Sequence, residues 1–113
     1  MQRINLYLLN NEEDSSMKNT ARVVVIGGGV VGCSVLYHLT KLGWKDVVLL
    51  ERSELTSGST WHAAAGIHGL HDNNNITRIQ NYTMKLYKDL ENETGQGCGI
   101  FQPGSLYLAQ TEN

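Results

Sequence analysis

The hydrophobic positions of the chain form two continuous runs and one helical pattern. Residues 22–26 are rich in β-branched side chains and residues 46–51 form a second apolar run, which is typical of parallel strands buried on both faces. Between them, apolar residues recur at helical spacing over residues 30–42, and Gly43 follows where a left-handed C-cap would fall. The pattern predicts one βαβ unit whose two strands are interior and parallel.

A second helix is predicted over residues 76–93, where apolar and aromatic positions recur on one side and charged residues lie on the other. Gly95 follows the last of these positions and is expected to end the helix. Residues 104–110 alternate weakly between apolar and polar, which predicts a strand. Together the predicted elements indicate an α/β fold.

The N-terminal residues differ from the rest of the chain. Residues 10–20 are polar and acidic, unlike a secretory signal or a transit peptide, so we expect no export. Met17 lies just ahead of the first predicted strand, and an alternative is that translation starts there, with a mis-assigned extension upstream. We expect residues 1–20 to form a flexible extension.

Composition favours a single soluble domain with small-molecule chemistry. The chain has 113 residues, is 41% hydrophobic and has a formal charge of −2, without a basic block that would favour nucleic acid or an anionic membrane. Its longest apolar run, residues 23–31, is far shorter than the roughly 20 residues of a membrane-spanning helix. Cys33 and Cys98 lack metal-site spacing, so we expect free thiols, no metal and a reducing, cytoplasmic location.

The glycines after the first predicted strand carry the main chemical signal. Gly27, Gly29 and Gly32 match G-x-G-x-x-G at a strand-to-helix junction, the context that a dinucleotide fingerprint requires. Gly27 would permit the tight turn, Gly29 the approach of a diphosphate and Gly32 the close packing of helix on strand. The diphosphate would lie against the free amides of Val30 and Val31, at the positive end of the helix dipole.

A carboxylate strengthens this fingerprint. Glu51 follows Gly32 by 19 positions and ends the second predicted strand, where it can accept both hydroxyls of an adenosine ribose. It would repel the additional phosphate of NADP, which leaves FAD or NAD as the cofactor. Arg52 would either stack on adenine or be a solvated charge. The structural alternative for the whole pattern is a glycine-rich turn that binds no nucleotide.

From Arg22 onward the sequence resembles the N-terminal FAD-binding segment of the D-amino-acid-oxidase-like flavoproteins, and most of all the dimethylglycine and sarcosine dehydrogenases. Its most specific part is the motif GSTWHAA, residues 58–64. The resemblance implies a covalent bond between His62 and the flavin 8α-methyl group. It also implies FAD contacts by Val30, Val31, Glu51, Arg52, Gly58, Ser59, Thr60, Trp61, His62, Ala63 and Ala64. A third alanine, Ala65, departs from the family pattern and leaves the backbone path just beyond His62 open.

The residues alone leave two interpretations of His62. A neutral imidazole is a competent nucleophile toward an electrophilic methyl carbon, and the small residues around it permit close approach. Ser59 and Thr60 can hydrogen-bond phosphate or ribitol oxygens. The alternative is a partly buried loop histidine with one backbone hydrogen bond. Three other histidines are interpreted as packing or loop residues rather than metal ligands: His38, His68 and His71.

The resemblance implies a Rossmann-like FAD-binding domain whose remaining strands come later in the chain, beside a separate substrate domain. A βαβ unit with two interior strands must bury both sheet faces, and the predicted elements are too few to do so. We therefore expect an incomplete sheet, with residues 21–113 forming the N-terminal part of the FAD-binding domain of a longer enzyme. Its catalytic residues would lie outside this chain, which alone would bind FAD weakly or not at all.

The activity implied by the resemblance is FAD-dependent oxidation of the C–N bond of a small N-methylated amino acid such as dimethylglycine or sarcosine. A hydride would pass to the flavin, and water or a folate carrier would take up the product. The expected partners are this amine and the rest of its own chain. Two alternatives stay open: an NAD-dependent dehydrogenase, which leaves GSTWHAA without a purpose, and a non-catalytic regulatory relative, against which His62 argues.

Overall fold

A computed structural model of the chain describes residues 5–8, 20–108 and 110. The elements within these residues are β1 (Asn5–Leu8), β2 (Val23–Ile26), α1 (Val30–Lys41), β3 (Val47–Glu51) and α2 (Asn74–Thr94). The chain divides into two compact units, Met1–Ala64 and Ala65–Asn113. The mixture of strands and helices confirms the predicted α/β class.

The first unit is built on a parallel sheet, which has the strand order β1-β3-β2 within the described residues. β2 pairs with β3 in parallel, starting with Val23 opposite Val47. β3 is the central strand, and its residues Val47, Val48 and Leu49 are all buried. Because α1 connects two neighbouring parallel strands, the predicted βαβ unit is confirmed.

The core of this unit lies between α1 and one face of the sheet. Leu36 of α1 and two residues of β3 form its buried centre, surrounded by partly buried side chains: Val23, Val25, Cys33 and Leu39. Strand residues alternate between faces, so Val24 and Ile26 lie on the opposite face, where they are 48% and 84% exposed. The prediction that β2 is interior and buried on both faces is therefore wrong for the described chain, because it pairs on one side only and α1 covers one face only.

β1 lies within the segment that was expected to be a flexible extension. It pairs with β3 in parallel, from Asn5 opposite Val48 to Leu8 opposite Glu51. Only three of its four residues are apolar or aromatic, polar sequence follows them, and their hydrogen-bonding partner is distant in the chain. Local patterns therefore did not predict the strand. Of the predicted extension, residues 1–4 and 9–19 lie outside the described residues.

Helix α1 ends in a Schellman motif. Leu42 is the C-cap and Gly43 has φ +83°, in the left-handed region that favours glycine. The N–H of Gly43 donates to the Thr40 carbonyl and the N–H of Trp44 to the Leu39 carbonyl, both at 3.0 Å. The predicted role of Gly43 is confirmed, and the helix ends just before the predicted boundary.

The second unit contains helix α2, which begins slightly earlier than predicted. The Asn73 side chain caps it by accepting from the N–H groups of Asn75 at 2.9 Å and Ile76 at 3.4 Å. Gly95 ends the helix with φ +71°, as predicted. No residue of α2 is buried, and Ile79 on its apolar side is 65% exposed.

The strand predicted over residues 104–110 is wrong where the structure describes it. Residues 104–108 form no strand, and Ala109 lies outside the described residues. Leu106 and Leu108 are 85% and 88% exposed. A strand needs a partner for its backbone groups, and the described chain offers none to this segment.

Both cysteines are free thiols, with Cys33 partly buried in α1 and Cys98 exposed. Among the described residues, neither helix combines the length and the apolar character that a bilayer crossing requires.

Candidate nucleotide-binding site

The turn between β2 and α1 brings the helix directly onto the strand. Gly27 has φ +102°, and its N–H donates to the Leu50 carbonyl at 2.8 Å. A Cβ at Gly32 would overlap the Gly27 carbonyl oxygen, so only glycine fits there. The tight turn and the close packing expected of these two glycines are present, while their part in nucleotide binding stays a prediction.

The start of α1 is in contact with the loop that carries GSTWHAA. The N-cap, Gly29, has no side chain to accept from the first helical amides. Instead the Val30 N–H donates to the Thr60 hydroxyl oxygen at 2.9 Å, so the expectation that this amide is free for a diphosphate is wrong in this structure. That oxygen lies 3.0 Å from where a Cβ on Gly29 would stand. Two segments that the sequence predicted to share one ligand therefore meet at the amino end of the helix.

Glu51 ends β3, and its carboxylate is held by the backbone. Its Oε2 accepts from the Gly28 N–H at 2.6 Å and its Oε1 from the Ser53 N–H at 3.0 Å. These bonds favour the charged form and hold the pKa of Glu51 below its usual range, and the bond from Gly28 has the largest effect. The site therefore presents an ionised acceptor pair at the carboxyl end of the central strand.

A cleft of about 460 Å³ opens beside this carboxylate. Six of the predicted cofactor-binding residues line it: Gly29, Glu51, Arg52, Gly58, Ser59 and Thr60. Eight others lie outside the lining: Gly27, Val30, Val31, Gly32, Trp61, His62, Ala63 and Ala64. The lining thus includes the expected ribose acceptor, Glu51, and one glycine of the diphosphate turn, Gly29, together with the first half of the GSTWHAA motif.

The segment after β3 folds back onto the glycine turn. Thr56 has φ +66°, which is uncommon for a β-branched residue, and its N–H donates to the Gly28 carbonyl at 3.0 Å. The Trp61 N–H lies 3.0 Å from the Thr56 carbonyl oxygen and 3.1 Å from that of Gly58. The bonds of Trp61 arrange the segment as turns, and the bond of Thr56 joins it to the glycine turn.

His62 makes one hydrogen bond to the backbone. Its Nδ1 lies 2.9 Å from the Gly58 carbonyl oxygen. Because a carbonyl oxygen only accepts, this bond requires a proton on Nδ1, and in the neutral tautomer that has it the lone pair is on Nε2. The backbone bond expected of a loop histidine is present, but the side chain is exposed rather than partly buried. Beyond the motif, Ala65 has φ +57°, so the additional alanine lies at a left-handed bend.

Sequence reasoning missed several residues that form or support the cleft. Ser53, Thr56 and Ser57 line it, and Gly28 is buried beneath it with its N–H on Glu51. A signal for Gly28 was available, since the chain has three consecutive glycines where the fingerprint specifies two. The other three follow Glu51 in a loop whose folding back could not be inferred from local pattern.

The remaining histidines with described hydrogen bonds serve their own segments. In α1, His38 Nδ1 lies 2.6 Å from the Ser34 carbonyl oxygen, and His71 Nδ1 accepts from the Asn73 N–H at 3.0 Å. Their interpretation as structural residues agrees with these contacts. In the part of the chain that the structure describes, no three His, Cys, Asp or Glu side chains are grouped to hold a metal ion.

Comparison with known proteins assigns a family to this arrangement. A family model described as FAD dependent oxidoreductase matches residues 22–113. Dimethylglycine dehydrogenase, mitochondrial, from Homo sapiens is 54% identical over 98 residues, which cover 87% of this chain and 11% of that protein. Sarcosine dehydrogenase, mitochondrial, from Homo sapiens is 46% identical over 94 residues, covering 82% of this chain and 10% of that protein.

A relative that is named as a regulatory subunit, not as a dehydrogenase, is almost as similar to this chain as the sarcosine dehydrogenase is. The pyruvate dehydrogenase phosphatase regulatory subunit, mitochondrial, of Mus musculus is 45% identical over 93 residues, covering 82% of this chain and 11% of that protein. The chain thus spans about a tenth of the length of these relatives. The family match includes the glycine turn, Glu51 and the GSTWHAA motif. The chain belongs to the family of FAD dependent oxidoreductases.

Proposed function

We propose that this chain forms the adenosine-binding part of a Rossmann-like FAD-binding domain, in an enzyme that oxidises the C–N bond of a small N-methylated amino acid. One observation carries the cofactor part of the proposal. The Glu51 carboxylate, at the carboxyl end of the central strand, lines the same cleft as Gly29 at the start of α1. Open parallel sheets bind their ligands beyond the carboxyl ends of the strands, with diphosphates at helix amino ends.

The polar groups of the cleft fit the adenosine and diphosphate of FAD. Each Glu51 oxygen accepts one backbone N–H and retains a further lone pair for a ribose hydroxyl. The Thr60 oxygen accepts from Val30, so its own O–H stays free to donate to a phosphate oxygen. Arg52 lines the same cleft, which is compatible with stacking on adenine. When bound, FAD would supply the hydride acceptor and an electrophilic 8α-methyl carbon.

His62 is proposed as the residue that bonds covalently to the flavin. Its hydrogen bond to Gly58 leaves the Nε2 lone pair available, and the side chain is exposed. An accessible imidazole lone pair is the nucleophile that such a bond requires. One C–H bond of the 8α-methyl group would be replaced by the bond to Nε2, with the proton released and the two electrons passed to the oxidised flavin. The remaining motif residues, Trp61, Ala63 and Ala64, are proposed to lie against the ring system.

The substrate class rests on the relatives. Two of them are named for dimethylglycine and for sarcosine, which are both N-methylated amino acids. Because the chain spans about a tenth of those proteins, we propose that the amine is bound by a longer polypeptide of which this chain is part. Transfer of the product to folate and a cytoplasmic location stay predictions. A mitochondrial location is given for these relatives and is not transferred to this chain.

A non-catalytic regulatory protein is the second candidate function. It is favoured by the relative named as a regulatory subunit, whose identity to this chain approaches that of the sarcosine dehydrogenase. His62 argues for catalysis, since a tethered flavin has little purpose in a protein without redox chemistry. The NAD-dependent alternative has no such support, because the family match is to FAD dependent oxidoreductases.

Acid precipitation of the full-length protein that carries this chain tests the cofactor and its attachment. The wild type should retain a yellow chromophore in the precipitate, whereas His62→Ala should release it to the supernatant. His68→Ala, a histidine outside the motif, is the matched control and should retain it. Release from the wild type would contradict the covalent bond but not FAD binding, and a colourless protein would contradict both.

Dye reduction separates the enzyme from the regulatory protein. The flavin-loaded wild type should reduce an artificial electron acceptor when dimethylglycine or sarcosine is added. A protein that holds flavin but reduces no dye with any N-methylated amino acid would favour the regulatory candidate.

A further inference from the structure

Gly28 lies at the point where the glycine turn meets the segment after β3. It is buried, its N–H donates to Glu51 Oε2 at 2.6 Å, and its carbonyl accepts from the Thr56 N–H at 3.0 Å. The Cys33 thiol also donates to that carbonyl at 3.5 Å. Both backbone groups of this residue are therefore used to join separate segments of the site.

The space beside Gly28 is too small for a side chain. A Cβ built there would lie 2.5 Å from Leu55 Cδ2 and 3.1 Å from both Cβ and Oε2 of Glu51. Leu55 is 40% exposed, so the tip of its side chain can rotate toward solvent. Glu51 has less freedom, because it belongs to the central strand and its other oxygen is bonded to Ser53. An added methyl group would therefore press on the carboxylate.

We propose that Gly28 is a positioning residue that sets the Glu51 carboxylate for the ribose hydroxyls of the cofactor. This inference rests on the proposed function. The dinucleotide fingerprint leaves this position open to any residue, so the need for glycine comes from the local packing of this chain. The absent side chain lets the backbone N–H reach Glu51 Oε2 and leaves the carboxylate facing the cleft.

A substitution at Gly28 should therefore weaken the contacts to the ribose of the ligand and leave its other contacts unchanged. Displacing a carboxylate by a few tenths of an ångström lengthens its bonds to ribose hydroxyls and leaves the diphosphate contacts of α1 in place. The preference for a ribose with both hydroxyls is the quantity that should fall. A substitution that merely loosened the fold would weaken the binding of both nucleotides by the same factor.

The test compares ADP with 2′,3′-dideoxy-ADP as ligands of the full-length protein that carries this chain. All variants contain His62→Ala, so that flavin can be removed before titration. The protein with this substitution alone is the reference protein. The reference protein should bind ADP about tenfold or more tightly than the dideoxy nucleotide, since hydrogen bonds to a charged group have at least that effect. Gly28→Ala should reduce this preference to about twofold or less.

Leu55→Ala and the double variant Gly28→Ala/Leu55→Ala separate the two contacts of the added methyl. Leu55→Ala alone should keep the full preference. The double variant removes the nearest clash and protects the fold, which a thermal unfolding curve checks, and it should still lack the preference. A double variant that regains the preference would overturn the inference, because the effect would then arise from crowding at Leu55.

The outcomes also distinguish this inference from the function on which it rests. A reference protein that binds neither ADP nor FAD contradicts the proposed function, and the inference falls with it. A reference protein that prefers ADP, together with a folded double variant that prefers it equally, contradicts the role of Gly28 alone.

Discussion

Glu51 shows how the backbone prepares a single side chain for a ligand. The N–H groups of Gly28 and Ser53 donate to its two oxygens, and these bonds lower the pKa of Glu51. Protonation would take an acceptor away from the turn as well as from a ribose. The carboxylate form is thus favoured before any ligand binds, which reduces the reorganisation that binding requires.

The lowered pKa of Glu51 predicts a pH dependence of stability. Because the pKa is lower in the folded state, the stabilisation is fully present above the pKa of an unfolded glutamate and is lost as pH falls through the folded value. The difference in melting temperature between the full-length wild type and Glu51→Gln should be constant near neutral pH and shrink in acid. Glu54→Gln, an exposed glutamate of the same segment, is the control. A difference that persists unchanged into acid would contradict the prediction.

At the level of elements, helix α1 is capped by a residue that is distant from it in sequence. Its N-cap residue, Gly29, makes no side-chain hydrogen bond, and Thr60 supplies the missing acceptor to the Val30 N–H. Glycine at the cap leaves room for the Thr60 hydroxyl, which satisfies an amide that would otherwise depend on solvent. The same bond ties the GSTWHAA loop to the nucleotide-binding turn.

Thr60→Val tests this cap. Valine keeps the shape of threonine but cannot accept from Val30, so stability should fall by about 1 kcal/mol. Thr60→Ser keeps the hydroxyl and should stay close to the wild type. Denaturant unfolding of the full-length protein measures both variants. Equal midpoints for the valine and serine variants would show that the hydroxyl does not stabilise the helix.

The same elements show what the sequence could predict. The ends of α1 and α2 were predicted closely because helical periodicity and the glycines Gly43 and Gly95 are local signals. β1 was missed and the strand over residues 104–110 was wrongly predicted, since pairing partners distant in sequence decide both. In the candidate site, the fingerprint predicted Glu51, but the folding back of the next segment onto Gly28 has no local signal.

For the molecule as a whole, the described chain buries few side chains and exposes many large apolar ones. Its buried hydrophobic residues are Leu36, Val47, Val48 and Leu49. By contrast Ile26 on β2 is 84% exposed and Leu42 at the end of α1 is 77% exposed. Exposed apolar surface of this kind is typical of faces that other protein segments cover. The matched part of this chain covers about a tenth of these relatives, so the relatives have ample further sequence to provide that contact.

The face of β2 opposite α1 provides a test of this interpretation. If a further segment covers that face in the full-length protein, Ile26 is buried there, and Ile26→Thr should lower stability by about 2 kcal/mol through lost apolar burial and a buried hydroxyl. In the isolated 113-residue chain the same substitution should cost little stability and should reduce self-association, because Ile26 is exposed. Denaturant unfolding and light scattering of both forms measure the two effects. Equal destabilisation in both contexts would mean that this face of the sheet is not covered by the rest of the protein.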